Sequence, residues 1–399
     1  MKISLLQFVW IDSIYENIWL RKIYIIDYGY AVKNKCTQRR TVNHEIAFIK
    51  RMNILLIGTL PPPIGGVSVS FGVLVDQLIQ RKDIDVEVLD LGILRKYGRI
   101  DVKKVPNFLK EMILKIKKVD VVTIYVASTA ITTIGLMTML LSRLNSKSFV
   151  LRKAAGYDYC QLGFIRGRIA HYVVKKSDLF LAETKNLVQL AQKRGIDHVK
   201  WYPTSRVMWE GSGGFELKDE SCFKFVFVGQ IRPYKGVLEI IEAAKRFKEG
   251  VIVDFYGPFY DGIDESLFLE LHNIKYCGVL KPDNVIETLK KYDALLLPTK
   301  AKTEGYPGVI FEGYAAGLPI ITTQCGGIPE IVDETSGIFV EPGDVDSLYH
   351  TMSVFLTDKI LYESLRCGVV NKRKEFDSEV WADNFVDYCM QVKKKIYEY

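Results

Sequence analysis

From Met52 onward, short runs of consecutive apolar residues alternate with stretches in which apolar residues recur every three to four positions. An unbroken apolar run of four to eight residues between turn residues predicts a strand buried on both faces. The 3.6-residue recurrence predicts an amphipathic helix. Strands are predicted at 53–58, 86–89, 119–126, 148–152, 179–182 and 199–202, with helices between them at 67–81, 105–118, 131–143, 163–176 and 185–194. Such alternation implies βαβ crossovers and a parallel sheet. After Pro203 the rhythm breaks through Gly211, Gly213 and Gly214, which predicts an interdomain linker over 204–222. A second alternating series follows, with strands expected at 223–229, 251–257, 274–277, 294–298, 319–323 and 337–340. The expected fold class is α/β, with two doubly wound Rossmann-like domains at 52–203 and 223–370 and a terminal helical segment at 371–399.

Residues 1–51 do not share this pattern. Aromatics such as Trp10, Trp19 and Tyr24 are mixed there with Asp12, Glu16 and Arg21. Asp12 interrupts the short apolar opening and no small-residue cleavage site follows, so it makes a poor signal peptide, and it is too short to span a bilayer. The working protein is expected to start at Met52, with 1–51 an over-extended start or an accessory helix. An interfacial membrane anchor is the competing reading. The run 121–141 carries no charge and has the length of a membrane span. Its threonines and serines, and Asp120 and Arg143 at its flanks, fit a buried strand, a turn and a helix better.

A length of 399 residues corresponds to about two to three domains at ~150 residues each. A chain 48% hydrophobic and 25% charged excludes disorder and collagen-like repeats. Seven scattered cysteines without a C-x-x-C pair argue for reduced thiols in a cytoplasmic compartment and against a zinc module. The net charge of +7 hides an asymmetry: residues 1–200 hold 32 Lys+Arg against 16 Asp+Glu, and residues 201–399 hold 22 against 31. The basic half is expected to face something anionic, such as a membrane surface or nucleic acid.

The chemistry concentrates at 303–319, TEGYPGVIFEGYAAGLP. Pro307 is placed to open a helix and Gly317 to end it. The amino end of that helix offers unpaired N–H groups and a positive dipole, which suit a phosphate. Glu304 lies just before the helix and Glu312 about one and a half turns inside it. A carboxylate there suits paired hydroxyls, because both oxygens accept hydrogen bonds. Phosphate plus vicinal diol describes a nucleotide sugar. FVFVGQIRPYKG (225–236) ends a strand at Gly229 and then presents Arg232 and Lys235, cations able to neutralise a diphosphate. FYGP repeats the strand-then-glycine arrangement at Gly257. All three features fall at the carboxyl ends of strands, where open parallel sheets bind ligands.

With these residues the chain resembles the retaining glycosyltransferases of family 4, the group 1 glycosyltransferases with the GT-B fold. The resemblance runs from Met52 nearly to the end. Its most specific part is the Glu-x7-Glu motif of Glu304 and Glu312, joined by VGQIRPYKG, GGIPEIV (326–332) and the glycine loop PPPIGGVSVS. It implies that Glu312 binds the donor ribose, and that Glu304 with the backbone of Gly305–Gly308 holds the sugar and its diphosphate. Lys235, joined by Arg232, would stabilise the leaving nucleoside diphosphate. Lys235, Arg232 and Glu304 are thereby the candidate catalytic residues, while Gly229, Gly257, Tyr306, Pro307 and Val309 complete the donor pocket. Gly65, Gly66 and Asp158 are candidates for acceptor or phosphate contact, Asp158 beside Tyr157 in a stretch that reads equally as a solvated turn. The family commonly has Gly-Arg where this chain has Gly229-Gln230, and Ala154 and Ala155 stand where many members carry a histidine.

The function implied is retaining transfer of a sugar from a nucleotide-sugar co-substrate, a UDP- or GDP-sugar, to a saccharide or lipid-linked acceptor, in cell-surface polysaccharide synthesis. No metal and no other cofactor is implied. The terminal segment resembles the family helix that crosses back to brace the first domain. The main alternative is a nucleotide-sugar-binding accessory subunit without turnover. A nucleic-acid binder lacks a recognition module here, and a dehydrogenase lacks G-x-G-x-x-G after either opening strand. KKVPNFLKEMILKIKK (103–118) gathers Phe108, Leu109, Met112, Ile113 and Ile116 near one face within a lysine rim. It is read as a candidate basic helix for peripheral docking on an anionic membrane, or as a packing helix with solvated lysines.

Overall fold

The computed structural model of the chain describes residues 51–96, 99–156, 158–208, 222–269 and 271–397. The expectations for the amino-terminal extension, for Tyr157 and for most of the linker lie outside them. A first parallel sheet is built from β1 (Met52–Gly58), β2 (Ile84–Asp90), β3 (Val121–Val126), β4 (Ser148–Lys153), β5 (Leu179–Ala182) and β6 (Val199–Trp201), in the order β2-β1-β3-β4-β5-β6. A second is built from β7 (Phe223–Val228), β8 (Val251–Tyr256), β9 (Ile274–Tyr276), β10 (Ala294–Leu297), β11 (Ile320–Thr323) and β12 (Gly337–Val340), in the order β9-β8-β7-β10-β11-β12. Both are doubly wound. The unbroken apolar runs are buried along their length, as strands covered on both faces must be.

On one face of the first sheet lie α1 (Gly66–Ile79) and, from the far end of the chain, α11 (Ser378–Tyr397). Trp381, Phe385 and Val386 of α11 share a core with Ile54, Leu56 and Phe71. Lys393 Nζ donates to Asp120 at 2.9 Å. The terminal segment therefore completes, beside α1, the covering of that face of the first sheet. The opposite face is covered by α2 (Val105–Lys118), α3 (Leu136–Leu144), α4 (Phe164–Lys176) and α5 (Lys185–Lys193). The uncharged run 121–141 divides into β3, a helical turn at Ser128–Ala130, a π-helical turn at Ile131–Gly135 and the start of α3. Among the described residues, no helix is long and apolar enough to cross a membrane.

One expectation needs correction. The apolar face of α2 is not available to a bilayer: Phe108, Met112 and Ile116 are buried in the core with Leu55, Val122 and Phe149. In solvent α2 leaves Lys110, Lys117 and Lys118 with Leu114, and Lys103 and Lys104 are exposed just before it. An amphipathic pattern looks the same whether the surface it packs against is a sheet or a membrane, and the sheet lies directly beneath α2.

The second half adds α6 (Val237–Ala244), α7 (Val285–Leu289), α8 (Gly308–Ala316), α9 (Val345–Thr357) and α10 (Lys359–Lys374) around one large core. Phe225, Phe227, Ile310, Phe311 and Tyr314 are fully buried there, which holds α8 against the sheet.

Candidate active site

In the second sheet, β7 and β10 are neighbours, but the chain leaves β7 toward β8 and leaves β10 toward β11. Where the strand order reverses, the loops diverge and open a crevice. The loop after β7 carries Arg232 and Lys235, and the loop after β10 carries Glu304. Two residues 69 positions apart thus meet: Lys235 Nζ donates to Glu304 Oε2 at 2.7 Å, with each side chain about 15% exposed (16% and 15%). Gly236 allows the approach. Its φ is +81°, and a Cβ there would lie 2.2 Å from the Pro298 carbonyl oxygen. The two loops are laced together beside it by Lys300 N–H to the Tyr234 carbonyl at 2.7 Å.

Pro307 is the N-cap of α8 in extended conformation, and Gly317 ends the helix in the left-handed region. The Pro-in, Gly-out pattern of the sequence is observed, with the proline one position earlier than the first helical turn. The first two N–H groups of α8, those of Gly308 and Val309, have no intrahelical acceptor, while Ile310 N–H donates to the Pro307 carbonyl at 3.1 Å. Glu312, one turn in, accepts from Arg206 Nε at 3.0 Å. Arg206 is 4% exposed. Its Nη1 also donates to Ser70 Oγ of α1 at 3.2 Å and to the Ser205 carbonyl at 2.9 Å. Its backbone pairs with the segment leading into α11, through Arg206 N–H to Phe376 and Ser378 N–H to Arg206. Glu312 is therefore tied to both halves through one guanidinium.

The remaining donor-side residues divide. Arg232 is held against Tyr260 (4.2 Å to the ring centre) and Tyr234, with its Nη1 donating to the Tyr234 hydroxyl at 3.0 Å. Gly229 and Gly257 meet backbone to backbone, since a Cβ on Gly257 would fall 1.7 Å from the Gly229 carbonyl oxygen. Tyr306 is buried, and its hydroxyl donates to Glu330 Oε2 at 2.7 Å while accepting from Trp201 Nε1 at 3.2 Å. Burial and the Glu330 carboxylate push its phenol pKa up. Gly308 lies under the Arg206 guanidinium, and Val309 packs against the second core.

The carboxyl edges of the two sheets face one another across this crevice. A Cβ on Gly305 would lie 2.5 Å from the backbone nitrogen of Gly156, which follows β4, and 2.7 Å from Glu183 Oε2. Glu183 is buried, accepts from Thr204 Oγ1 at 2.8 Å and lies 3.9 Å from the guanidinium of Arg152. Glu330 accepts from the first N–H groups of α5, those of Lys185 and Asn186, so a carboxylate from one half caps a helix of the other. Gly65 and Gly66 sit exposed at the start of α1, at the same edge of the first sheet. Asp158 has another partner than the crevice: both its oxygens accept from Arg194, at 2.7 and 2.6 Å. That guanidinium holds its carboxyl below the usual range.

Lys153, at the end of β4, is fully buried, and burial brings its pKa down to about 8, with Glu183 opposing the shift. A lysine whose folded pKa lies below its unfolded one burdens the fold while charged in both states. That burden is relieved as pH rises from about 8 toward 10.5. Wild type is therefore expected to gain ~2–3 kcal/mol relative to Lys153→Met between pH 7 and pH 10. Paired urea denaturation curves measure this, and a pH-independent difference would refute it.

Arg206, Glu183 and Glu330 were not legible as site residues. Arg206 stands in a linker without local pattern, Glu183 precedes an ordinary helix, and Glu330 had only its place in GGIPEIV to mark it.

Known proteins similar to this chain include glycosyltransferases. The model of the family "Glycosyl transferases group 1" matches residues 214–368. An uncharacterized glycosyltransferase of Methanocaldococcus jannaschii is 24% identical over 369 residues, 87% of this chain and 98% of that protein. The N,N'-diacetylbacillosaminyl-diphospho-undecaprenol alpha-1,3-N-acetylgalactosaminyltransferase of Campylobacter jejuni is 24% identical over 170 residues, 41% of this chain and 43% of that protein. Among solved structures, Anabaena HepE in complex with UDP and glucose superposes with a TM-score of 0.65 at 14% identity, over 86% of this chain and 100% of HepE, a likeness of fold.

Proposed function

The chain belongs to the group 1 glycosyltransferases and has the GT-B fold, and from that premise we propose that it transfers a sugar, with retention, from a UDP- or GDP-sugar to a lipid-linked saccharide. The observation that carries this reading is the Lys235–Glu304 pair at the sheet's switch point, beside a helix start that contains Glu312. The diphosphate lies at the amino end of α8, where N–H groups and the dipole favour an anion. Glu312 accepts hydrogen bonds from the ribose and Glu304 from the sugar. As the sugar–phosphate bond breaks, negative charge grows on the diphosphate, and the Lys235 ammonium stabilises it. A diphosphate oxygen takes the acceptor proton as the acceptor attacks from the departing side. Cationic side chains and the helix dipole supply the electrostatics that a metal ion would otherwise provide.

The acceptor reading draws support from the undecaprenol-linked acceptor in the name of the C. jejuni relative. It draws further support from the basic character of the first half, which suits work at the anionic cytoplasmic face of a membrane. The test is a panel of UDP-, GDP- and ADP-sugars scored by thermal unfolding, followed by transfer assays in EDTA. A matched donor at a hundred times its Kd is expected to add about 2.7 kcal/mol of stability, with turnover that survives chelation. No stabilisation by any member refutes the donor site. Activity abolished by EDTA and restored by Mg²⁺ or Mn²⁺ refutes metal independence.

A further inference from the structure

From Val121 to Ser177 the sequence contains eight lysines and arginines and a single carboxylate, Asp158. That carboxylate has both oxygens taken by Arg194. This stretch supplies α3 and α4, which lie side by side with α2 on one face of the first sheet. In a parallel sheet the helices that follow strands begin at its carboxyl edge, so the amino ends of α2, α3 and α4 line up on the crevice side of that face. At α4 two large apolar residues stand in solvent, Phe164 at 79% and Ile165 at 71% exposure, with Arg166 and Arg168 exposed beside them. The Arg168 guanidinium lies 5.3 Å over the Phe164 ring. In the turn just before α2, Val102 is 75% exposed beside exposed Lys103 and Lys104.

We infer that this rim, centred on Phe164 and Ile165, is the surface that docks on an anionic lipid bilayer. The inference rests on the membrane-associated reading above and moves the contact from the apolar face of α2, which is buried, to the start of α4. Adjacent exposed Phe and Ile followed by two exposed arginines match a bilayer interface, where apolar side chains enter the acyl boundary and cations meet lipid phosphates. A free polyanion would use the arginines and leave the apolar pair without a role. A second copy of this face would bring like charges together. The position also suits the acceptor. Phe164 is eight residues from Gly156, which abuts the donor loop at Gly305, so the rim lies within about 28 Å of the crevice along the chain. A saccharide anchored by its lipid at Phe164 would reach into the site without leaving the bilayer.

The experiment sediments the full chain with phosphatidylcholine vesicles, with and without phosphatidylglycerol, at low and high salt. Wild type is expected to bind only the anionic vesicles and to release in high salt. Phe164→Ser/Ile165→Ser and Arg166→Gln/Arg168→Gln are each expected to weaken partitioning about tenfold or more, while the donor-induced rise in Tm is unchanged. If wild type ignores anionic vesicles, the membrane reading itself falls. If wild type binds and both variants bind equally, the membrane reading stands and this surface is wrong. Loss of binding in the arginine variant alone would also overturn bilayer insertion, in favour of a purely electrostatic contact.

Discussion

Lys235→Ala is expected to lower kcat by about two to three orders of magnitude while changing the Kd for the nucleotide sugar only a few-fold. The asymmetry follows from when charge appears. In the proposed ground state the diphosphate is already held by the helix start and the loop backbone, and in the structure Lys235 is engaged at 2.7 Å by Glu304. In the proposed transition state extra negative charge collects on the leaving phosphate, in a crevice where both partners are largely shielded from water. An ammonium acts more strongly there than in bulk solvent. Glu304→Gln is a useful companion, because it keeps an acceptor for Lys235 but removes the charge that orients it. Steady-state kinetics together with calorimetric titration of donor separate the two quantities. If Lys235→Ala keeps kcat within threefold, or loses affinity and rate in equal measure, Lys235 does not stabilise the leaving group.

Arg206→Ala is expected to destabilise the protein by about 3–5 kcal/mol, because it strands the Glu312 carboxylate in a site where the pair's side chains are only 5% and 15% exposed. It also severs the link from Glu312 to Ser70 of α1. Donor affinity is expected to fall with it, since the carboxylate proposed to accept the ribose hydroxyls loses the group that orients it. Glu312→Ala alone should weaken nucleotide binding by roughly 1.5–3 kcal/mol, the range for hydrogen bonds to a charged group. The informative variant is Arg206→Met/Glu312→Gln. Replacing both charges removes the unpaired ion, so stability should return toward wild type while donor affinity stays low. Urea denaturation and donor titration of wild type, Arg206→Met, Glu312→Gln and the double replacement form the cycle. If Arg206→Ala unfolds within 1 kcal/mol of wild type, or the double replacement recovers affinity, the pair does not serve the donor site.

Much of this molecule is written along the chain in patterns of short range. The central strands β1, β3 and β10 read directly as apolar runs, because a strand covered on both faces has no polar side to show. The helix α8 reads from Pro307 and Gly317, since backbone geometry at helix ends depends on the residue itself. The pairing of Glu304 with Glu312 at eight residues' spacing depends on one loop and one helix, so it too survives without the rest of the fold.

Other features depend on which elements become neighbours. Lys235 could be named as a cation in a loop, but its contact with Glu304 arises because the sheet places β7 beside β10. Asp158 was a candidate for the acceptor side. Arg194, 36 residues on, takes both its oxygens, because α5 returns beside the turn after β4. The face of α2 has the same periodicity against a sheet as against a membrane, and only the position of the first sheet decides between them. Arg206 is the clearest case. Nothing in its surroundings in the chain distinguishes it, and its partner Glu312 lies 106 residues away. Local periodicity and end signals are carried by the sequence, because they arise from each residue's own backbone and its nearest turns. The choice of a buried charge's partner is made by the packing of whole elements, because that packing alone removes the water that would otherwise solvate it.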